Sequence, residues 1–414
     1  MDSVVEGNLF IDGEIRKGCV GIEDGTIVSV KKVLEGGRHF DFGEKLIFPA
    51  GLDVHVHFRE PGQTEKEDFF TGTRAAAMGG ITFVMDMPNN KPPTMSRSAI
   101  DWKASRVRRK ACVDFALYGG IGEHSDISAM AHVCKAFKVY LSGDNEMFVP
   151  IEKMEDVLQK VKESGRTLAI HAENPECIKR GEARNLSEHE RNRPVECEAE
   201  EIGRILEINR NVGAGIHICH VSSSRSMDIL KGSDASMGVT PHHIFLSTSS
   251  KFTYEAMGKV NPPLRSEEER RNLLGAVRNG FGGIIESDHA PHLLEEKEDF
   301  STAPPGMPGV DTTLPLMMGE VKRERMNLSA VHRLMCRNPA RTFGINKGDI
   351  EVGRDADLVV IDFREKKIKS YSKCGWSAYE GQMGVYPSHV FLGGEMIVEN
   401  GEFTGGEGMG DMVL

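Results

Sequence analysis

The eight cysteines of the sequence include no C-x-x-C pair. That absence argues against a zinc ribbon, and the scatter of the cysteines argues against a disulfide framework, so buried, reduced thiols are expected. No uninterrupted apolar stretch is long enough to span a bilayer, and no membrane association is expected. The opening residues Met1-Asp2-Ser3-Val4-Val5-Glu6 lack the basic region and apolar core of a signal peptide, so a cytoplasmic location is expected. An excess of positive charge is also missing. The chain has 51 Lys and Arg against 62 Asp and Glu, a formal net charge of −11. Such a surface repels phosphate backbones, and nucleic acid is not an expected partner. The one basic run, Arg106-Val107-Arg108-Arg109-Lys110, falls in a helical pattern and reads as a solvated face. No solenoid-like repeat is present, and low complexity is confined to a Gly-rich tail from Gly401 to Gly410, expected to be mobile.

What is there suits a folded enzyme: 39% hydrophobic and 27% charged residues over 414 positions. Near the start, short apolar and β-branched runs are punctuated by Asp12-Gly13 and Asp24-Gly25, which are hairpin signals. The far end has the same texture around Ala356–Asp362 and His389–Gly394. Between the ends, short apolar runs alternate with helical stretches. Candidate strands start near Leu46, Ile81, Phe115, Phe137, Leu168, Gly215, Ser236 and Gly283. Strand–helix alternation of this kind predicts an α/β fold, a (β/α)₈ TIM barrel, which typically needs ~250 residues and leaves chain for a second unit. Active sites of such barrels lie where strands end and the following loops begin. A chemically active residue should therefore sit at a strand's C-terminal end.

Four stretches meet that test. Asp53-Val54-His55-Val56-His57 follows the first apolar run, and strand alternation puts His55 and His57 on one face, where two imidazoles can grip one metal ion. His171 ends the fifth candidate strand, a histidine ends the sixth, and Asp288 ends the eighth. At the sixth, His217 and His220 compete. The reading favours His220, nearer the loop, with His217 as an internal support. Four histidines and an aspartate suggest two divalent ions, which need a bridging ligand. Lys138 stands in the otherwise apolar fourth strand. Carbon dioxide can convert a neutral amine there to a carbamate with two bridging oxygens; the alternative is an ammonium that snorkels to the rim.

The pattern resembles the amidohydrolase superfamily with its binuclear, usually zinc, centre. Asp53 to Gly62 is similar to a signature of dihydroorotases of the longer-chain (class I) type. Met87-Pro88-Asn89 resembles a second signature and Ser287-Asp288-His289-Ala290-Pro291-His292 a third. The resemblance spans essentially the whole chain. It implies that both chain ends form one small β domain, residues 1–48 with 349–414, interrupted by a barrel over 49–348. It also implies that Phe137-Lys138-Val139-Tyr140 bears a carboxylated lysine. Some bacterial relatives use a slightly later aspartate instead, which keeps Asp144 open as the bridge. The implied activity is reversible cyclisation of N-carbamoyl-L-aspartate to L-dihydroorotate in pyrimidine synthesis, with Asp288 as ligand and proton shuttle. Arg59 and Asn89 would hold the small-molecule substrate, and by resemblance Asn261, His292, Pro305 and Gly306 also contact it. Hydantoinases and allantoinases share the fold and metals but typically lack the arginine of the R-E-P-G stretch, so Arg59 favours a dihydroorotase over them. A non-catalytic relative serving as a scaffold would be expected to lose ligands, whereas every ligand position here is filled. Assembly with a second copy or with another pyrimidine-pathway enzyme is left open.

Overall fold

The computed structural model describes residues 1–143, 146–179, 181–280 and 282–414. The chain opens on four strands, β1 (Ser3–Ile11), β2 (Glu14–Glu23), β3 (Thr26–Lys31) and β4 (Arg38–Pro49). Asp12-Gly13 and Asp24-Gly25 make the two hairpin turns. Both residues of each turn have positive φ, 51° and 83° in the first and 47° and 75° in the second, the conformation that a two-residue turn of the right twist requires. β1 then pairs in parallel with β4.

Eight strands follow in parallel: β5 (Gly51–Val56), β6 (Ile81–Asp86), β7 (Asp114–Gly120), β8 (Ala136–Tyr140), β9 (Thr167–His171), β10 (Ile216–Ile218), β11 (Ser236–Val239) and β12 (Ile284–Ile285). They lie side by side in chain order. A bridge between Val56 and His289 and the 2.7 Å bond from His57 N–H to His289 O close the ring. Leu52, Val54, Phe83, Met85, Tyr118 and Ala169 fill its interior with buried apolar bulk. Lys138 lies two residues beyond Ala136, and His171 two beyond Ala169, so each shares a face with a residue of that interior cluster.

The chain then returns to its starting sheet. β13 (Leu358–Ile361) pairs antiparallel with β4 and β16 (His389–Leu392), which continues to β17 (Glu395–Glu399) and β18 (Glu402–Phe403). Two short strands, β14 (Lys366–Lys367) and β15 (Met383–Gly384), form a separate pair. Both chain ends therefore share one eight-stranded sheet beside the barrel. Among the described residues, no helix is long and apolar enough to cross a membrane.

Three expectations need correction. The apolar run that starts at Leu46 is two strands: Leu46–Pro49 closes β4 in the end sheet, and the barrel begins only at Gly51. Both pieces are buried, so hydrophobicity carries no mark of the boundary. The Gly-rich tail is docked, not mobile. Gly410 N–H donates to Ala111 O at 3.0 Å, and Asp411 O accepts from Phe115 N–H at 2.9 Å, adding the tail to the edge of β7. A Cβ on Gly410 would lie 1.9 Å from Val113 O, so glycine there permits close approach. Finally, the cysteines are not all reduced: Cys177 and Cys197 form a disulfide. Twenty residues separate them in sequence, and only the fold of the excursion after β9 brings them together. The basic run behaves as read, with Arg106, Arg108 and Arg109 exposed and Lys110 paired with Glu60 at 2.6 Å.

Candidate metal centre and substrate cavity

A cavity of about 230 Å³ opens at the C-terminal ends of the barrel strands. His55, His57, Arg59, Asn89, His171, His220, Asn261, Asp288, Pro305 and Gly306 all line it. Residues up to 251 positions apart in sequence, His55 and Gly306, are thus gathered by the strand order. Lys138 and His292 do not line it but touch residues that do, Lys138 the Tyr140 ring and His292 the Arg59 guanidinium.

Donor atoms converge at its floor. The Nε2 atoms of His55 and His57 lie 3.2 and 3.0 Å from Asp288 Oδ1. Across the floor, His171 Nδ1 faces His220 Nε2 at 3.1 Å. Ligands of a tetrahedral ion with bonds of ~2.0–2.1 Å sit about 3.3 Å apart, so these separations suit divalent metals. The outward ring nitrogens are engaged elsewhere. His57 Nδ1–H donates to Asn89 Oδ1 at 2.6 Å, His171 Nε2–H donates to Glu173 Oε2 at 2.7 Å, and His55 Nδ1 lies 3.4 Å from Glu286 Oε1. Each anchor leaves the other nitrogen's lone pair for a metal. Protonation agrees. Burial pushes His55 down to about 4 and depresses His171 and His220 as well, which favours these three imidazoles as neutral donors. Burial raises Asp288, but His55 and His57 outweigh it and hold the carboxyl well below the usual range.

Lys138 is fully buried, with Nζ 3.1 Å from Cys219 Sγ and 4.9 Å from the centre of the Tyr140 ring. No carboxylate among the described residues forms an ion pair with it. After burial, its charge is among the influences that depress His55, His171 and His220, which places it beside the same floor. Asp144, the alternative bridge, lies outside the described residues.

The cavity's upper wall is cationic. Arg59 is 9% exposed; its Nε donates to Pro291 O at 3.0 Å, and Nη2 lies 3.0 Å from His292 Nε2. Among the described residues no carboxylate pairs with it. His292 is set between Arg59 and Lys66, whose Nζ donates to Nδ1 at 3.2 Å, and its Nε2–H donates to Pro305 O at 3.2 Å. Its Nε2–H thus holds the Pro305–Gly306 loop, and its ring packs against the Arg59 guanidinium. On the opposite side, Asn261 Oδ1 accepts from His189 Nε2 at 2.9 Å.

Comparison with known proteins decides the family. The sequence profile described as amidohydrolase family matches residues 46–401. The chain belongs to the amidohydrolase family. This amidohydrolase is 37% identical to a protein named dihydroorotase from Thermoplasma volcanium over 410 residues, covering 97% of this chain and 95% of the relative. It is 33% identical to a dihydroorotase from Methanosarcina acetivorans, covering 98% and 93%. Among solved structures it is similar to the L-hydantoinase (dihydropyrimidinase) from Arthrobacter aurescens, with TM-score 0.94 and 28% identity, covering 100% of this chain and 99% of that one.

Sequence reasoning passed over several residues of this amidohydrolase's site. Glu286 is fully buried. Its Oε2 accepts from His217 Nε2–H at 3.0 Å, and its Oε1 accepts from the His220 backbone N–H at 2.7 Å. His217 is thus held off the cavity, with Nδ1 2.9 Å from Ser236 Oγ. Arg193 and Tyr140 line the cavity, and Glu173 sits behind His171. One signal was available: Glu286 and Glu173 each lie two positions from a candidate ligand, the spacing at which strand side chains share a face.

Proposed function

We propose that the protein is a dihydroorotase, a cyclic amide hydrolase that interconverts N-carbamoyl-L-aspartate and L-dihydroorotate in pyrimidine synthesis. One observation carries the choice of substrate. Arg59 is a buried cation without a carboxylate partner among the described residues, and it lines the cavity above the metal floor. A buried charge left unpaired is unfavourable, so the site calls for an anion there, and the planar guanidinium suits a carboxylate. The dihydroorotate ring carries a carboxylate, whereas the rings of hydantoin and allantoin do not. The relatives named dihydroorotase support the same reading; the hydantoinase structures share the barrel.

His55, His57 and Asp288 would hold one ion and His171 and His220 the other, with a carboxylated Lys138 bridging them; zinc is the proposed metal. Such ions, when bound, lower the pKa of a water and polarise the ring carbonyl. The chain's own groups do the rest. Arg59 and Asn89 orient the substrate by its carboxylate, and Asn261 and the backbone of Pro305 and Gly306 close on the ring. His292 holds the Pro305–Gly306 loop through Pro305 O. Asp288, through its carboxylate oxygen away from the ion, takes the proton of the attacking water and delivers it to the ring nitrogen as the carbon–nitrogen bond breaks. In reverse, the carbamoyl nitrogen attacks the aspartate carboxyl carbon, and one oxygen leaves as water.

The protein, purified and loaded with zinc, should hydrolyse dihydroorotate faster than hydantoin or allantoin, and chelation should abolish turnover until metal is restored. Preference for hydantoin would move the assignment to the hydantoinases, while full activity without bound metal would defeat the floor reading altogether.

A further inference from the structure

Between β9 and the helix Val195–Val212, the chain makes an excursion that reaches back to the cavity. At its end, Arg193 places its guanidinium on Glu173, Nε on Oε1 at 3.1 Å and Nη2 on Oε2 at 2.5 Å. Glu173 is 0% exposed, and the same Oε2 accepts from His171 Nε2–H at 2.7 Å. From this relay we infer that Arg193 is a positioning residue for the metal centre: acting through Glu173, it holds the His171 ring with Nδ1 turned into the cavity. The inference rests on His171 being a metal ligand and is independent of the substrate assigned above.

The physical case is one of direction. Glu173 meets Arg193 through both carboxylate oxygens, which fixes the carboxylate plane and with it the direction from which His171 Nε2–H is met. With Nε2 engaged by Glu173, the other ring nitrogen, Nδ1, faces the cavity floor 3.1 Å from His220 Nε2. Arg193 is itself held. Its carbonyl accepts from Arg265 Nη1 at 2.6 Å, and its N–H donates to Glu190 O at 3.1 Å. The Cys177–Cys197 disulfide and the bond from Asn174 N–H to Cys197 O at 2.8 Å close the base of the excursion. A salt bridge serving only to hold the fold would not need to meet the buried nitrogen of a cavity histidine.

The test compares wild type with Arg193→Ala, Arg193→Lys and Glu173→Gln, using chelator competition for bound zinc and the visible absorption of the cobalt-loaded protein. Arg193→Ala and Glu173→Gln should each weaken retention of one ion by roughly 10–100-fold and alter the cobalt spectrum. Arg193→Lys should recover part of that loss. At saturating metal, kcat for dihydroorotate should fall while KM changes by less than about twofold. Should Arg193→Ala fail to fold by circular dichroism, the near-isosteric Glu173→Gln carries the comparison. Wild-type retention of both ions with an unchanged cobalt spectrum in Glu173→Gln overturns the proposal, as does a wild-type chain holding fewer than two ions. Arg59→Ala keeps the readings apart: it should retain both ions, so loss of substrate preference there tests the substrate and not this relay.

Discussion

Arg59, His220 and Asp288 have φ of 59°, 40° and 47°, in the left-handed region that side chains with a Cβ rarely adopt. Each such residue costs of order 1–3 kcal/mol and persists only where its surroundings over-determine it, as functional sites do. All three line the one cavity. At this scale the candidate donors that the cavity gathers were open to inspection because metal donors come from few side-chain types and fall at strand ends. Their supports were not, because Glu173 and Glu286 resemble ordinary surface charge until the fold buries them, and Arg193 until the fold turns it onto Glu173. Lys138 is the sharpest test at a single position. Lys138→Ala should lose at least one ion on dialysis and lower kcat by more than about 100-fold, since the proposed bridge disappears. Metal analysis showing two retained ions, with a near-normal rate, would remove the carbamate from the account.

The elements matter through the loops they aim. Gly306 has φ of 135°, and a Cβ there would lie 2.7 Å from Ala290 O. Gly306→Ala is expected to destabilise the protein by about 1–3 kcal/mol and to raise KM more than it lowers kcat, because the loop that closes on substrate must shift. Denaturant unfolding and steady-state kinetics check the two halves separately. A similar argument applies to Asn89, whose Oδ1 holds His57 Nδ1–H at 2.6 Å. Asn89→Ala should weaken metal retention as well as substrate binding, and a pure KM effect would deny it the first role. Strand order, barrel closure and hairpin turns were readable in advance, since Asp-Gly pairs and alternating β and α runs have local causes. The split of the run after Leu46, the docking of the tail and the pairing of Cys177 with Cys197 were not. Each depends on contacts between distant segments.

At the scale of the molecule, the barrel and the end sheet are joined by buried charge. Lys347 is 2% exposed and lies 2.8 Å from Asp114 on β7 and 2.7 Å from Asp357, next to β13. Lys347→Met should destabilise the fold by about 3–5 kcal/mol, since it strands carboxylates without a countercharge, and thermal unfolding would show it. A second link has a pH signature. Burial raises the Asp349 carboxyl, but hydrogen bonds from His332 and Arg337 outweigh it and hold it at about 2. Its folded value lies below the ordinary 3.8, so its contribution to stability is present above that pH and is lost as pH falls through about 2. Asp349→Asn should therefore be less stable than wild type near neutrality and approach it at the acid end.

Arg59 is proposed to read the substrate carboxylate above a two-metal floor. The most direct test of this role is kcat/KM for dihydroorotate and for hydantoin, measured side by side on zinc-loaded wild type and Arg59→Ala. Wild type should prefer dihydroorotate, and the substitution should lower its kcat/KM by roughly 10–150-fold, the range expected for a charged hydrogen bond, with hydantoin little affected. Equal losses on both substrates, or an undiminished preference for dihydroorotate, would contradict this role.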